Sequence, residues 1–484
     1  MEKAEKSKPN GLTVKKADNF SEWYTQVLLK SDFIDYSDVS GCIVFLPAAY
    51  GAWQKITSAV DAEFKKDGIE DVYFPLFIPE RLLLKEKEHF EGFVPEVAWV
   101  TEAGNSKLDE KLAIRPTSET IMYRNFSKRI RSWRDLPLRF NQWNNVVRWE
   151  FKHPTPFIRS REFLWNEGHT VYATEAESRA ERDVILGIYS KILKEYLAIP
   201  GIIGIKSRKE TFPGALASYS IEHILPDGWA IQGPDFHLDG QNFSKAFEIK
   251  FLDKEEKQQF AWQNTYAITT RELGVMVATH GDDKGLVIPP KLANIQVIII
   301  PILKKEGSAA VLEYARSIAE QLKSDYRVKV DEREGYSPGF KFNEWELKGI
   351  PIRIELGPRD LENNKVILVR RDTGEKQEID AASVHRSVKD LVEHIHENLY
   401  SRAEHAMKAM IHITDDYSDL KDILSEKKGI VSAPWCGNVA CEDKIKEETG
   451  AKITNIPLDQ KKIDGKCVYC GKPASERANF AKSY

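Results

Sequence analysis

Two textures of apolar and polar positions divide the chain. Up to Pro289-Pro290, helices and short strands follow one another without a regular rhythm. "PAAYGAWQKITSAVDAEFKKDG" (Pro47–Gly68) has apolar residues at helical spacing, opens on a proline and closes on a glycine, the asymmetry of a helix start and stop. "EDVYFPLFIP" (70–79) predicts a strand bounded by Pro75 and Pro79. "EAESRAERDVILGIYSKILKEYL" (Glu175–Leu197) predicts a second helix, and "GWAIQG" (228–233) and "AFEIKFL" (246–252) predict strands. This mixture implies an α+β domain built on an antiparallel sheet. After the two prolines the rhythm becomes regular. Strand "IQVIIIPI", helix "SAAVLEYARSIAEQLKSD", strand "YRVKVDE", helix "GFKFNEWELKG", strands "PIRIEL" and "KVILVRR" and a long helix from about Ser387 predict an α/β domain of about a hundred residues. The expected organisation is a charged, disordered tail (1–18), an α+β domain (19–288), an α/β domain (289–404) and a small α+β module (405–484).

Composition narrows the function classes only a little. The 484 residues are 42% hydrophobic and 30% charged, with a net charge of −4. A general polyanion binder is basic overall, so contact with nucleic acid would have to use local patches. The opening "MEKAEKSKPNG" has no apolar core of the signal-peptide kind. The longest apolar run, "VIIIPIL" (297–303), is too short for a bilayer. The expectation is a cytoplasmic protein without membrane contact, in which structural disulfides are disfavoured.

The cysteines say more. Cys42 stands alone, while Cys436, Cys441, Cys467 and Cys470 crowd into the last module as C-x4-C and C-x2-C. Two close pairs across a loop fit a four-thiolate zinc site; four free thiols are the alternative. With every position filled by sulfur, the metal would be structural, a staple for a module with little core.

The densest chemistry lies in "NNVVRWEFKHPTPFIRSREFLWNEGH" (144–169). "VVRWEF" and "IRSREFLWNEGH" read as antiparallel strands joined by the proline-rich "KHPTP". With a period of two, Arg148 and Glu150 share one face, as do Phe163, Trp165, Glu167 and His169. An exposed hairpin laced by ion pairs would explain the charges alone. Arginines in phase with flat aromatic rings fit a nucleotide lying across a sheet, because guanidinium groups grip phosphate and rings stack on bases. No G-x-x-x-x-G-K-[ST] loop and no G-x-G-x-x-G turn is present, so ATP would have to be held by side chains on the sheet.

This hairpin resembles motif 2 of the class II aminoacyl-tRNA synthetases. "RPTSET" (115–120), "GQNFSKAFEI" (240–249), "TTRELGVMVATHGDDKGLVIPP" (269–290) and "NEWELKGIPIRIELGPRDLE" (343–362) resemble the prolyl-tRNA synthetase family of archaeal and eukaryotic type, from about residue 18 to Tyr484. The resemblance implies a class II catalytic domain, an anticodon-binding domain and a zinc-binding module. It implies a ligase that activates L-proline with ATP and Mg2+, releases pyrophosphate and charges tRNA(Pro). It also implies a homodimer, with the 47–75 region at the interface.

By the same resemblance, Arg148 and Arg271 are catalytic. Arg148 bridges the proline carboxylate and the α-phosphate, Glu150 meets the adenine edge, Arg159 holds the outer phosphates and Phe163 stacks on adenine. Gln232, Thr269 and Arg271 complete the ATP contacts. Thr117 and Glu119 hold the proline nitrogen, Arg148 its carboxylate, and Phe93, Trp165, His169, Phe212 and His237 wall its ring. Glu346, Arg353, Arg359 and Asp360 read anticodon guanines. The editing insertion of the bacterial type is missing between His169 and Arg271. One segment departs from the family: in "QGPDFHLDGQNF" Asp235 stands where a threonine usually contacts ATP, and Phe236 and Leu238 are also unusual. An added acid beside triphosphate repels it unless magnesium or an arginine intervenes.

Two rivals come from other classes. An inactive synthetase-like RNA-binding or regulatory protein has no reason to keep Arg148, Glu150, Arg159 and Arg271. A metal-dependent nucleic-acid binder built on the cysteines explains only the last fifty or so residues.

Overall fold

The computed structural model of the chain describes residues 11–83, 96–150, 152–303, 308–426 and 429–484. Its centre is an eleven-stranded sheet. From one edge the order is Ile411–Ile413, Ile430–Trp435, Glu476–Ala481, Lys452–Pro457, Ile202–Ile205, Ala217–Ile224, Ala230–Gly240, Trp262–Ala267, Glu162–Tyr172, Leu138–Val147 and Glu70–Asp71. Only the two outermost pairings are parallel. Helices Pro47–Lys66 and Glu175–Ile192 bury their apolar stripes against the back of the sheet. There Trp53, Ile56, Phe64, Ile185 and Tyr189 meet Tyr266 and Phe236 in the largest hydrophobic cluster. The second helix starts on a capping box between Thr174 and Glu177, which satisfies two otherwise unpaired amide groups.

The cysteine module does not stand apart. Its strand Lys452–Pro457 pairs with Ile202–Ile205 through Ile456↔Ile205 and Pro457↔Gly204, so the catalytic sheet runs on into it. It also has a core of its own, including Leu420, Val431, Ile445, Ile453 and Phe480, larger than its length suggested. The α/β domain has the predicted form. Val328–Val330, Val297–Pro301, Ile352–Leu356, Lys365–Arg370 and the unpredicted Lys376–Asp380 make one sheet, covered by helices Ser308–Leu322 and Val384–Ala409.

Several expectations are corrected. The first hairpin strand ends at Val147, so Arg148 and Glu150 lie beyond it on the connection to Glu162. The ladder uses the upstream "LRFNQWNNVV", whose amides and alternating apolar residues satisfy the same period. "EDVYFPLFIP" breaks into Glu70–Asp71 and Phe77–Pro79 around its first proline, which has no N–H to donate. Only Ala246 of "AFEIKFL" belongs to the short helix Asn242–Ala246, a turn follows, and only Lys250–Leu252 is strand. "GWAIQG" is the start of the strand Ala230–Gly240, which carries the unusual Asp235 segment through the middle of the sheet. The disordered tail does not reach residue 18: Thr13 N donates to Gln26 Oε1 at 2.9 Å, Lys16 N to Asp283 Oδ1 at 2.7 Å and Lys16 Nζ to the carbonyl of Gly281 at 2.7 Å. Residues 1–10 lie outside the described residues. Among the described residues, no helix is long and apolar enough to cross a membrane.

Candidate active site

On the front of the sheet, strands Glu162–Tyr172, Ala230–Gly240 and Trp262–Ala267 floor a cavity of about 590 Å³. The period of two puts Phe163, Trp165, Glu167 and His169 on this face, with Asp235 and His237 from the next strand but one. Every residue expected at the ATP and proline sites, Phe93 excepted, lines this one cavity. Phe93 falls outside the described residues. Gly168 is required between Glu167 and His169, because a Cβ there would lie 1.9 Å from the Tyr266 ring.

At one end, Arg148 Nε donates to the carbonyl of Pro116 at 3.0 Å, and its guanidinium sits 5.5 Å from the Phe163 ring and 5.2 Å from that of Trp165. These two rings meet edge to face at 5.7 Å. Arg271, the first residue of helix Arg271–His280, closes the other side. Its terminal nitrogen donates to the Gln232 carbonyl at 2.9 Å and its Nε to that of Ile158 at 3.3 Å. Burial lowers its hold on its proton, against the opposing pull of Glu272. Two cationic forks, an aromatic edge and a polar floor form a site for a planar base with an anionic tail. Glu150 is exposed at the rim.

At the inner end lies a small polar pocket. Thr117 Oγ1 bridges the carboxylates of Glu119 and Glu167, 2.9 Å from the latter. Glu167 also accepts from Ser118 N at 2.8 Å, Gln142 Nε2 at 3.1 Å and Asn144 Nδ2 at 3.0 Å. This buried anion is therefore satisfied and fixes the loop that carries Thr117. Burial raises the Glu119 carboxyl above the usual range, with His169 and Thr117 working the other way. His169 Nδ1 lies 3.3 Å from Tyr123 Oη. Phe212 stacks on His237 at 4.7 Å. His237 Nδ1 pairs with Ser218 Oγ at 2.8 Å, and its Nε2 lies 3.6 Å from Asp235. Burial pushes this imidazole's pKa down while Asp235 pulls it up. Asp235 is also tied to Gln232 Nε2 at 2.9 Å, so the unusual acid has partners within the protein.

Glu167, Asn144 and Ser218 hold the pocket in shape and were not among the expected site residues. Glu167 had a signal, its phase with Trp165 and His169; Ser218, in a strand whose sequence was not singled out, had none. Lys206, Lys209 and Glu210 also line the cavity wall, and each is bound to the cysteine module, through Thr454 O, Asp443 and Lys452 respectively.

The remaining expected residues lie elsewhere. Glu346 and Arg353 line one crevice of the α/β domain, with Arg370 and Arg371. Arg353 pairs with Glu355 at 2.9 Å over the Phe342 ring. Arg359 and Asp360 come after the far end of the strand Ile352–Leu356, where Asp360 accepts from Gly357 N at 2.7 Å. The structure thus forms two groups of two. The four cysteine sulfurs lie within 4.8 Å of one another, Cys436 being 3.7 Å from both Cys441 and Cys470. A tetrahedral zinc–thiolate site with bonds of about 2.3 Å has edges of about 3.8 Å, so the donor set fits zinc.

The chain is similar to known proteins over nearly its whole length. Residues 99–280 match the family model of the tRNA synthetase class II core domain (G, H, P, S and T). Residues 296–391 match that of the anticodon binding domain, and 417–484 that of the prolyl-tRNA synthetase C-terminal domain. A proline–tRNA ligase 2 of Bacillus cereus is 46% identical over 471 residues, covering 97% of this chain and 98% of that protein. The cytoplasmic proline–tRNA ligase of Arabidopsis thaliana is 47% identical, covering 98% of this chain and 91% of its own length. A crystal structure of prolyl-tRNA synthetase from Cryptosporidium parvum, complexed with halofuginone and AMPPNP, superimposes with a TM-score of 0.94 at 45% identity, covering 98% of this chain and 100% of that one.

Proposed function

The chain belongs to the prolyl-tRNA synthetases and is a proline–tRNA ligase, and on that premise we propose how the cavity divides the work. Its substrates are ATP, L-proline and tRNA. ATP lies on the front of the sheet with adenine against Phe163 and toward Glu150, and its phosphates between Arg159, Arg148 and Arg271; Gln232 and Thr269 hold the nucleoside. The C. parvum relative's complex with AMPPNP, an ATP analogue, supports ATP as a ligand. Proline occupies the inner pocket. The observation that carries the assignment is the Thr117–Glu119–Glu167 cluster beneath walls of Trp165, His169, Phe212 and His237.

A Thr hydroxyl has one proton and here faces two carboxylates. The arriving secondary ammonium has two N–H groups to give, and Thr117 Oγ1 and the Glu119 carboxyl, which burial raises above its usual range, are the acceptors at hand. Arg148 holds the proline carboxylate against the α-phosphorus. The carboxylate oxygen attacks, the bond to the bridging oxygen breaks and pyrophosphate leaves. The ribose hydroxyl of the tRNA end then attacks the adenylate carbonyl, the carbonyl carbon's bond to the phosphate oxygen breaks, and AMP departs with the hydroxyl proton passing to its phosphate. No protein nucleophile is needed; catalysis comes from placing two anions together and neutralising charge as it develops. Magnesium, bound with the triphosphate, would add to that neutralisation, and Glu150 and Asp235 are oxygen donors of the type it takes.

The chain's units are 19–288, 289–404 and 405–484, with the first ten residues or so as a tail. The last unit carries structural zinc on Cys436, Cys441, Cys467 and Cys470. Glu346 with Arg353, and Arg359 with Asp360, each read one anticodon guanine through its Watson–Crick or Hoogsteen edge. The enzyme is a homodimer, supported by exposed Tyr36, Val39, Val44 and Tyr50 on and beside the Pro47–Lys66 helix. It works in the cytoplasm, as its plant relative's name indicates, without membrane contact.

The assignment of the inner pocket is tested with Glu119→Gln in ATP–pyrophosphate exchange without tRNA. KM for proline should rise by about 10- to 100-fold, the loss of a charge-assisted bond, with KM for ATP unchanged. An equal rise for ATP would refute the division of the cavity.

A further inference from the structure

Arg271 is set among three acids that act on its charge, Glu272, Asp235 and Glu222. Its guanidinium donates to two backbone carbonyls, those of Gln232 and Ile158, and among the described residues forms no ion pair. Each acid has a partner of its own. Glu222 accepts from Lys206 Nζ and Ser220 Oγ, both at 2.6 Å. Asp235 accepts from Gln232 Nε2 at 2.9 Å. Glu272 is wholly buried, and His223 faces it: Nε2 lies 3.1 Å from Oε2, a close contact rather than an aligned hydrogen bond. Neither atom has another hydrogen-bond partner among the described residues.

The imidazole comes from strand Ala217–Ile224, where His223 pairs with Ile231. Its Nδ1 lies 2.9 Å from the Pro200 carbonyl, which can only accept, so Nδ1 carries a proton. A bare Nε2 would then aim a lone pair at the carboxylate. A proton between Nε2 and Oε2 removes that repulsion and makes the pair neutral as a whole. Burial works against a charged imidazole, but Glu272 and the Pro200 carbonyl outweigh it and raise its pKa. Gly233 leaves room for the ring, since a Cβ there would lie 2.5 Å from Nε2, and it also lines the cavity.

We propose that His223 is a positioning residue for ATP: by answering the charge of Glu272, it keeps Arg271 free for the phosphates. The inference rests on the assignment of Arg271 to the phosphates made above. Without the imidazole, Glu272 is a buried carboxylate next in sequence to Arg271, and that guanidinium becomes its counterion. The triphosphate then loses one of its two-pronged contacts. Neither His223 nor Glu272 lines the cavity, so the pair acts through Arg271 and does not touch proline.

The test is ATP–pyrophosphate exchange at pH 8 with His223→Gln in the full-length enzyme. Glutamine keeps a neutral donor and cannot hold the charge. KM for ATP should rise by about tenfold, while KM for proline stays within about twofold, which shows that the site is intact. Glu272→Gln should keep the parent KM for ATP. The double variant His223→Gln/Glu272→Gln should return to within about threefold of it, because the charge is then gone. A purely structural role for His223 would leave the double variant at least as impaired as the single one. An unchanged KM for ATP in His223→Gln, an equal rise for proline, a tenfold rise in Glu272→Gln, or a double variant no better than His223→Gln overturns the proposal. If Arg271→Ala leaves KM for ATP at the parent value, it is the assignment of Arg271 to the phosphates that fails.

Discussion

In the half of the large sheet that floors the cavity, charged groups are held by hydrogen-bond donors around them; in the half that carries the cysteines, four sulfurs gather where a turn and the start of the helix Val439–Thr449 meet a second turn. Glu167 takes hydrogen bonds from Thr117, Ser118, Gln142 and Asn144, and Glu222 from Lys206 and Ser220. Such a network fixes side chains without closing the space in front of them, which a substrate must enter. The cysteine half has no substrate to admit. There a cation bound by four thiolates can cross-link the turn after Trp435 to the turn at Cys467–Cys470 over a small core. The difference teaches that one continuous sheet is made rigid in two ways, according to whether its face must stay open.

The sharpest contrast comes from Arg148→Ala. Among the described residues, the arginine side chain touches only the Pro116 carbonyl and two rings, so fold and zinc content should be kept. Proline-dependent exchange should fall by about 10²- to 10³-fold, the usual loss for a donor aimed at developing charge. Arg148→Lys should recover little of it, because an ammonium cannot form the two-pronged contact. Melting temperature and exchange rate on the same preparation check both points; a large loss of stability would make Arg148 a structural residue.

Cys467→Ser probes the other half. The bound metal should be lost, read as zinc per chain, with a stability loss of at least about 3 kcal/mol. The comparison would break if the halves were independent, in which case exchange would survive. We expect a fall of about tenfold instead, through displacement of the cavity wall. Lys206, Lys209 and Glu210 are held by Thr454, Asp443 and Lys452, and Asn455 Nδ2 donates to the Ile202 carbonyl at 2.8 Å. Full exchange in the zinc-free variant would show that the seam at Ile456 transmits nothing.

This seam marks what the sequence could carry. The cysteine spacing announced a four-sulfur cluster because ligand geometry is local, and the alternation from Phe163 to His169 announced a face because strand period is local. The pairing of Ile456 with Ile205 joins residues far apart in the chain, and nothing in either short apolar run specifies the other. Arg148 and Glu150 were read onto a strand for the same reason: the ladder partner of Val147 is Glu162, and only the partner shows where pairing stops. Arg271 could be named from resemblance, but not the imidazole of His223 that faces its neighbour Glu272.

The smallest expected effect concerns a buried acid of the cavity half that departs from the rule of satisfied charges. Asp239 is wholly buried on the floor strand, and neither of its oxygens makes a hydrogen bond among the described residues. Burial, with Glu119 nearby, raises its carboxyl well above the usual range, only partly opposed by Thr265. Below the ordinary carboxylate range, folded and unfolded states both hold the proton and the group contributes nothing to pH dependence. As pH rises, the unfolded chain releases its proton first, so the folded state must keep the proton or bury a charge, and stability falls. Asn has the same shape and cannot ionise. Asp239→Asn should therefore match the parent near pH 3 and be the more stable by more than about 1 kcal/mol at pH 8, each tenfold change in proton affinity being worth about 1.4 kcal/mol. Denaturant melts at the two pH values give the difference. A parent that is the more stable at pH 8 would mean that the Asp239 charge is stabilised in the fold, and Asp239 would then be no exception.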